Sequence, residues 1–197
     1  MIRVGISFDD SYIAQLKWAR TMHKLGLRGT FYISPSALDD IHKLLGWTLP
    51  KMAEWGHLIG NHTWVHDAPA KASEEEVLTS IYRAASWLRE RGYCEELLAL
   101  PYGVRGGKWS PSFLKRLQHD GYMLRDVRFK GEAPGSRRLP SALESAATTF
   151  TEVEGWPDLR YFHGNHNTSD ADMAEFLFAL ADGVAAGELQ VVLPERS

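Results

Sequence analysis

Two short stretches of this chain gather side chains suited to metal-assisted chemistry. Ser7-Phe8-Asp9-Asp10 ends an apolar run in two adjacent carboxylates, and Gly60-Asn61-His62-Thr63-Trp64-Val65-His66 carries two imidazoles four residues apart. Imidazole nitrogen and carboxylate oxygen together suit a divalent ion, and three protein ligands leave positions open for water and substrate. Asp10, His62 and His66 are the candidate ligands. Asp9 is then a second carboxylate beside an ion-activated water, where a hydrolase needs its general base. The plainer reading gives Asp9 to the N-cap of the helix after Ser11, a position Asp suits, and leaves the histidines as loop residues.

Chemistry of this kind needs strands that deliver the side chains to one place. Residues 2–8 read as a buried strand, and residues 12–25 as a helix with Ile13, Leu16, Ala19, Met22 and Leu25 at helical spacing, stopped by Gly26. Residues 30–33 form a second strand, 50–55 a short helix and 57–60 a third strand. Ser73 predicts an N-cap with Glu74, Glu75 and Glu76 in the first turn, Glu76 completing a capping box, for a helix closed by Gly92. A strand over 97–100 follows, then a helix opened by Ser110-Pro111 and a strand over 122–127. Residues 130–147 read as loop; strands over 150–153 and 160–163, a helix over 170–186 and a strand over 189–193 complete the pattern. The alternation predicts an α/β fold with parallel strands in a single domain spanning 1–197. Asp9, Asp10, His62, Tyr102 and His163 fall at carboxyl ends of strands, the end that carries active sites in parallel barrels.

Bulk properties exclude several classes of function. The 197 residues carry a formal net charge of -3, so neither a nucleic-acid footprint nor a basic membrane-facing surface is expected. No apolar run approaches the ~18 residues of a transmembrane helix. Cys94 is the only cysteine, which rules out an internal disulfide and reads as a small buried hydrophobe. Met1-Ile2-Arg3-Val4-Gly5-Ile6 runs straight into the first strand without a signal-peptide pattern, so the expected location is cytoplasmic.

The motifs resemble the polysaccharide deacetylase family, the NodB-homology or carbohydrate esterase family 4 group. The matching stretches are Ser7-Phe8-Asp9-Asp10, Gly29-Thr30-Phe31-Tyr32 and the run from Gly56 to His66. The resemblance implies a distorted (β/α) barrel of about seven parallel strands. It implies a divalent metal, zinc first and cobalt or nickel as alternatives, held by Asp10, His62 and His66. It implies hydrolysis of an N-acetyl or related amide with Asp9 as base. Pro101-Tyr102-Gly103 resembles the third family motif, whose tyrosine N–H helps to hold the oxyanion, a preorganised donor of the kind that dominates such catalysis. Tyr161-Phe162-His163-Gly164 resembles the fifth, whose histidine, here His163, protonates the leaving amine; His166 stands close by as a competing candidate.

Two departures accompany the resemblance. Ala99 stands where the third motif usually has the arginine that orients the base, and Arg125 or Arg105 are candidates to supply that guanidinium from elsewhere. The fourth motif's Asp beside Trp is replaced by Tyr122-Met123-Leu124-Arg125-Asp126-Val127, where Asp126 is the candidate carboxylate. Pro101, Gly103 and Trp64 are candidates for substrate contact; Trp64, Trp109 and Trp156 could form a sugar platform, with packing the plainer role for each. His23, His42, His57 and His119 read as structural. The expected substrate is an N-acetylated sugar or a small amide. Two other readings stay open: hydrolysis of a non-sugar C–N bond, as in allantoinase-like relatives, and a degenerate barrel kept for binding carbohydrate.

Overall fold

Eight strands form one sheet in the computed structural model, which describes residues 2–68, 70–103, 109–125, 150–153, 156–164 and 169–194. The elements run β1 (Ile2–Phe8), α1 (Ala14–Lys24), β2 (Thr30–Ile33), α2 (Leu49–Glu54), β3 (Leu58–Asn61), α3 (Glu74–Arg89), β4 (Leu97–Leu98), α4 (Pro111–His119) and β5 (Met123–Leu124). They continue with β6 (Phe150–Val153), β7 (Trp156–Gly164), α5 (Asp170–Ala185) and β8 (Leu189–Val191). The sheet order is β5-β4-β3-β2-β1-β7-β6, with β8 also on β1. Every pairing is parallel except β6 with β7, so seven strands share one direction and β6 is the antiparallel addition. The expected distorted parallel barrel is therefore present, with one strand more than anticipated.

Period-two alternation sorts β1 into two faces. Val4, Ile6 and Phe8 are buried against Trp18, Ala19 and Met22 of α1, and Phe8 stacks on Phe31 of β2 with centroids 4.7 Å apart. Ser7 and Asp9 point the other way, to the concave face, where Tyr32, Leu97 and Ala99 form a small cluster of their own. A second core joins Val77, Leu78 and Ile81 of α3 to Leu98, Leu100, Phe113 and Leu117. The sheet thus buries a helix-facing apolar layer and keeps polar groups on its inner face.

Local signals act much as the sequence predicts. Ser73 caps α3, with its hydroxyl accepting from the Glu76 N–H and the Glu76 carboxylate accepting from the Ser73 N–H, a complete capping box. Ser110 caps α4 ahead of Pro111, its hydroxyl accepting from the Phe113 N–H. One start differs. α1 begins at Ala14, not residue 12, because Tyr12 is drawn into an antiparallel bridge with Lys43 and Ile13 donates its N–H to the His42 carbonyl. Its N-cap is Ile13 without a side-chain bond, so Asp9 is not a helix cap.

The inner face also reveals how far the sheet curls. β5 lies four strand spacings from β1, ~19 Å in a flat sheet. Yet Arg125, directly after β5, hydrogen-bonds Ser7 of β1 at 2.9 Å. Only a sheet rolled toward closure brings those two strands together.

Candidate active site

The carboxyl ends of β1, β3, β4 and β5 converge. Asp10 Oδ1 lies 3.2 Å from His62 Nε2 and 2.9 Å from His66 Nε2. One candidate ligand atom from each residue falls within 4.8 Å of the others. His62 is held at three points: its N–H donates to the Ile33 carbonyl at 3.0 Å, its carbonyl accepts from the Ser34 hydroxyl at 2.9 Å, and its Nδ1 lies 2.7 Å from the Ala99 carbonyl. A carbonyl only accepts, so Nδ1 carries the proton and Nε2 presents a lone pair to Asp10. Lone pairs converging on one point need a proton or a cation between them. At ligand distances of ~2.1 Å a tetrahedral ion sets its ligands ~3.4 Å apart, close to the separations here. The donor set fits a divalent ion.

The loops that carry these ligands adopt backbone that L-residues rarely take. Asp10 (φ 69°), Ser11 (57°), Thr63 (63°), His66 (55°) and Tyr102 (63°) are all left-handed, a state that persists only where the surroundings over-determine it. At Asp10 and Ser11 the surroundings are identifiable. Lys43 Nζ donates to the Asp10 carbonyl at 2.7 Å and the Leu44 N–H to the Ser11 carbonyl at 2.7 Å. The histidine loop is anchored on α3. Buried Asn61 donates to the Ile81 carbonyl at 3.0 Å and accepts from the Thr63 N–H at 2.9 Å. Ser80 accepts from the Trp64 N–H at 2.8 Å and donates to Asp67.

Adjacent carboxylates in the chain meet different partners. Burial alone would raise the Asp10 carboxyl, but the His62 and His66 rings, when protonated at the nitrogens that face it, hold it far below the usual carboxylate range. The Asp10 hydrogen bond in turn raises His66 against the opposing effect of burial. Asp9 faces inward at 6% exposure and takes a two-pronged grip from Arg125: Nη1 to Oδ1 at 2.6 Å, with Nη2 on Oδ2. The same Nη1 reaches Ser7 Oγ, and the guanidinium lies 4.8 Å above the Tyr32 ring. A planar fork matched to a carboxylate fixes both its charge and its orientation. Gly60 contributes by omission, since a Cβ there would come within 3.0 Å of the Tyr32 ring and of the Leu97 carbonyl.

Other predicted residues are placed as follows. Tyr102 follows β4 at 61% exposure, with its ring 5.5 Å from that of His66. Its backbone N–H has no acceptor among the described residues. Trp109 is buried against Phe113, and one face of Trp64 carries the Arg83 guanidinium at 4.0 Å, so neither offers a bare indole face on that side. The backbone of His163 pairs with Ser7 in the β1–β7 register; its side chain and those of Trp156, Asp126, Arg105 and His166 lie outside the described residues. The supports from Lys43, Asn61, Ser7 and Ser80 went unnoticed in the sequence. Ser80 left one trace there: a polar residue on the apolar face that Val77, Ile81, Ala84 and Leu88 give to α3.

This geometry sits within a recognisable lineage. The profile of the family described as polysaccharide deacetylase matches residues 2–124. The chain belongs to the polysaccharide deacetylase family. Among curated proteins it is similar to a peptidoglycan-N-acetylglucosamine deacetylase of Bacillus cereus, at 27% identity over 103 residues, covering 51% of this chain and 36% of the relative. The match thus spans about a third of that relative's length. Among solved structures, a family 4 carbohydrate esterase from Streptomyces lividans in complex with acetate superposes with a TM-score of 0.67 at 13% identity, covering 98% of this chain and 92% of that one. Peptidoglycan deacetylase PdaC from Bacillus subtilis gives 0.66 at 18% identity, covering 96% and 86%. A family 4 acetyl xylan esterase from Clostridium thermocellum, solved with a cobalt ion, gives 0.63 at 18% identity, covering 96% and 87%. At these identities the likeness establishes the fold. Among the described residues no helix is long and apolar enough to cross a membrane.

Proposed function

We propose that this chain is a divalent-metal-dependent hydrolase that removes the N-acetyl group from an amino sugar in a glycan. The observation that carries the reading is the pairing of two unlike carboxylates: Asp10 among His62 and His66, and Asp9 beside it in the grip of Arg125. Asp10, His62 and His66 would hold the ion, zinc or alternatively cobalt or nickel. When bound, the ion supplies Lewis acidity, lowering the pKa of water and polarising the scissile carbonyl.

The protein's own groups carry the rest. Asp9, aimed by Arg125, accepts the proton of the attacking water as the new C–O bond forms. The Tyr102 N–H donates to the oxygen on which negative charge develops, a donor already in place before reaction. His163, on the strand beside β1, gives a proton to the amine as the C–N bond breaks, so acetate and a free amine leave. Pro101 and Gly103 shape the turn that presents Tyr102. Asp126 and Arg105 are the remaining candidates to tune His163 and the base.

The degenerate-barrel reading drew its force from Ala99. A guanidinium on Asp9 from Arg125 removes that motive. The test measures metal content and acetate release together, on N-acetylglucosamine oligomers and on small N-acetyl compounds, for the wild type and His62→Ala. About one ion per chain, absent from the variant, with acetate released by the wild type alone, is the expected result. Metal without acetate from any substrate would overturn the deacetylase assignment, and absence of metal after reconstitution would overturn the ligand set.

A further inference from the structure

An indole stands in the open on the flank of the barrel. Trp47 is 73% exposed, the most exposed aromatic side chain among the described residues. It is not on a loose loop. It occupies a short 3-10 turn, Gly46–Thr48, which leads directly into α2. The Gly46 N–H donates to Asp39 Oδ1 at 2.8 Å and the Thr48 hydroxyl to the Leu45 carbonyl at 2.7 Å, so the turn is tied at both ends. A single exposed ring needs no explanation by itself; what sets Trp47 apart is that it stands on a fixed support between two grooves.

Trp47 forms the shared wall of two grooves. One, of about 760 Å³, runs between α2 and the end of α3 and is lined by Trp47, Trp87, Tyr93, Asp39, Glu54 and Arg91. The other, of about 680 Å³, passes along α1 with Trp55 on its far side. Neither includes Asp9, Asp10, His62, His66 or Tyr102.

The polar groups of the first groove are half committed. Asp39 holds the Gly46 N–H through Oδ1 and Glu54 holds Lys51 through Oε2, which leaves Asp39 Oδ2 and Glu54 Oε1 open as acceptors among the described residues. The Arg91 guanidinium lies 4.0 Å above the Trp87 ring, donates one N–H to the Trp87 carbonyl and lies 3.7 Å from the Glu90 carboxylate. The Tyr93 hydroxyl has no partner among the described residues. Two carboxylates against one guanidinium disfavour a polyanion here. Open acceptors and donors beside a flat apolar face suit a neutral ligand with C–H groups on one side and hydroxyls at its edge. That is the chemistry of a pyranose ring.

We propose that the Trp47 groove is a second carbohydrate-binding site, which holds a neutral glycan strand while another part of the strand occupies the site at Asp9 and Asp10. This deepens the deacetylase reading by naming a polymer as substrate, and rests on that reading for the choice of glycan. Trp47 supplies the stacking face, Asp39 and Glu54 accept from sugar hydroxyls, and Tyr93 exchanges one further hydrogen bond.

The test is electrophoretic retention of the full chain in native gels containing glycol chitin, with xylan and dextran sulfate in parallel gels. It is run in an Asp9→Asn background, so that retention is read without turnover and a failed deacetylase reading shows separately, as absence of acetate release from the wild type. The expected result is retention by glycol chitin or xylan, weakened about tenfold or more by Trp47→Ala and less by Tyr93→Phe. Melting temperatures of these surface variants should match the parent. With Asp9 restored, Trp47→Ala should raise KM on glycol chitin and leave kinetics on N-acetylglucosamine dimers unchanged. Equal retention of Trp47→Ala and its parent would overturn the proposal. So would retention by dextran sulfate alone, which would place the ligand on the Lys17, Arg20 and Lys24 side of α1, or retention by none of the three polymers.

Discussion

His57 precedes β3 and His62 follows it, and both rings are buried, at 3% and 2% exposure. At the amino end, His57 Nδ1 accepts from the Gly29 N–H at 3.1 Å while Nε2 donates to the Ala19 carbonyl at 2.9 Å. Both nitrogens are spent on backbone, and the ring stays neutral. At the carboxyl end only Nδ1 is spent, on Ala99, and Nε2 faces a carboxylate and a second histidine. The same residue type at comparable burial is closed off where the backbone satisfies both nitrogens and open to a ligand where one nitrogen is left uncommitted. Burial alone does not separate the two roles; the count of committed nitrogens does.

The sharpest way to test that contrast is at the chemical end. Asp9→Asn should lower turnover by about 10²- to 10⁴-fold, the range for loss of a general base, while metal content stays at the wild-type value. Loss of metal along with activity would show that Asp9 belongs to the ligand set. Arg125→Met removes the counter-charge and strands a buried carboxylate. It should lower stability by about 3 kcal/mol and turnover with it, measured by urea unfolding and acetate release, and Arg125→Lys should recover charge without the two-pronged geometry. Wild-type turnover in Arg125→Met would remove Arg125 from the mechanism.

At the structural end, His57→Ala leaves the Gly29 N–H and the Ala19 carbonyl unpaired in the core and opens a cavity beside Phe31. The expected loss is about 2–3 kcal/mol, with metal content per folded chain unchanged; His62→Ala, which leaves the Ala99 carbonyl unpaired, should lower metal content as well as stability. The smallest effect is a pH dependence. Burial lowers His57 from 6.5 to about 4, so the unfolded chain binds this proton first. Its contribution is complete above pH 6.5 and is lost as the pH falls toward about 4, with a ceiling on the order of 3 kcal/mol. Unfolding midpoints from pH 7 to 5 should fall less steeply in His57→Gln than in the wild type. Parallel slopes would mean that another group governs the acid limb.

What was legible in the sequence follows from range. Asp9-Asp10, His62 and His66 are short motifs at the ends of β-rich runs, and their strands could be placed from local pattern. So could the Ser73 capping box, whose partners lie three residues apart. Arg125 was one of two arginines weighed for Asp9; what selects it is a contact across 116 residues that depends on how far the sheet curls. No local rule announces left-handed backbone at Asp10 and Ser11 either, since neither is Gly and their restraints come from Lys43 and Leu44 in another loop. The late start of α1 has the same cause. Trp47 was invisible because exposure is a property of the assembled surface, and a Trp in a turn reads the same whether covered or bare.

The reach of Arg125 also orders events in time. Asp9 emerges early in synthesis, followed by Asp10, His62 and His66, and the Ala99 carbonyl that holds the His62 ring comes after β4. The guanidinium for Asp9 arrives only when β5 has docked, as the last piece of this cluster to be made. Until then the inner face holds a carboxylate without its counter-charge. The fork on Asp9 therefore ties the end of β1 to the chain after β5: a chain cut before residue 125 keeps the proposed ligands Asp10, His62 and His66 but has no guanidinium for Asp9.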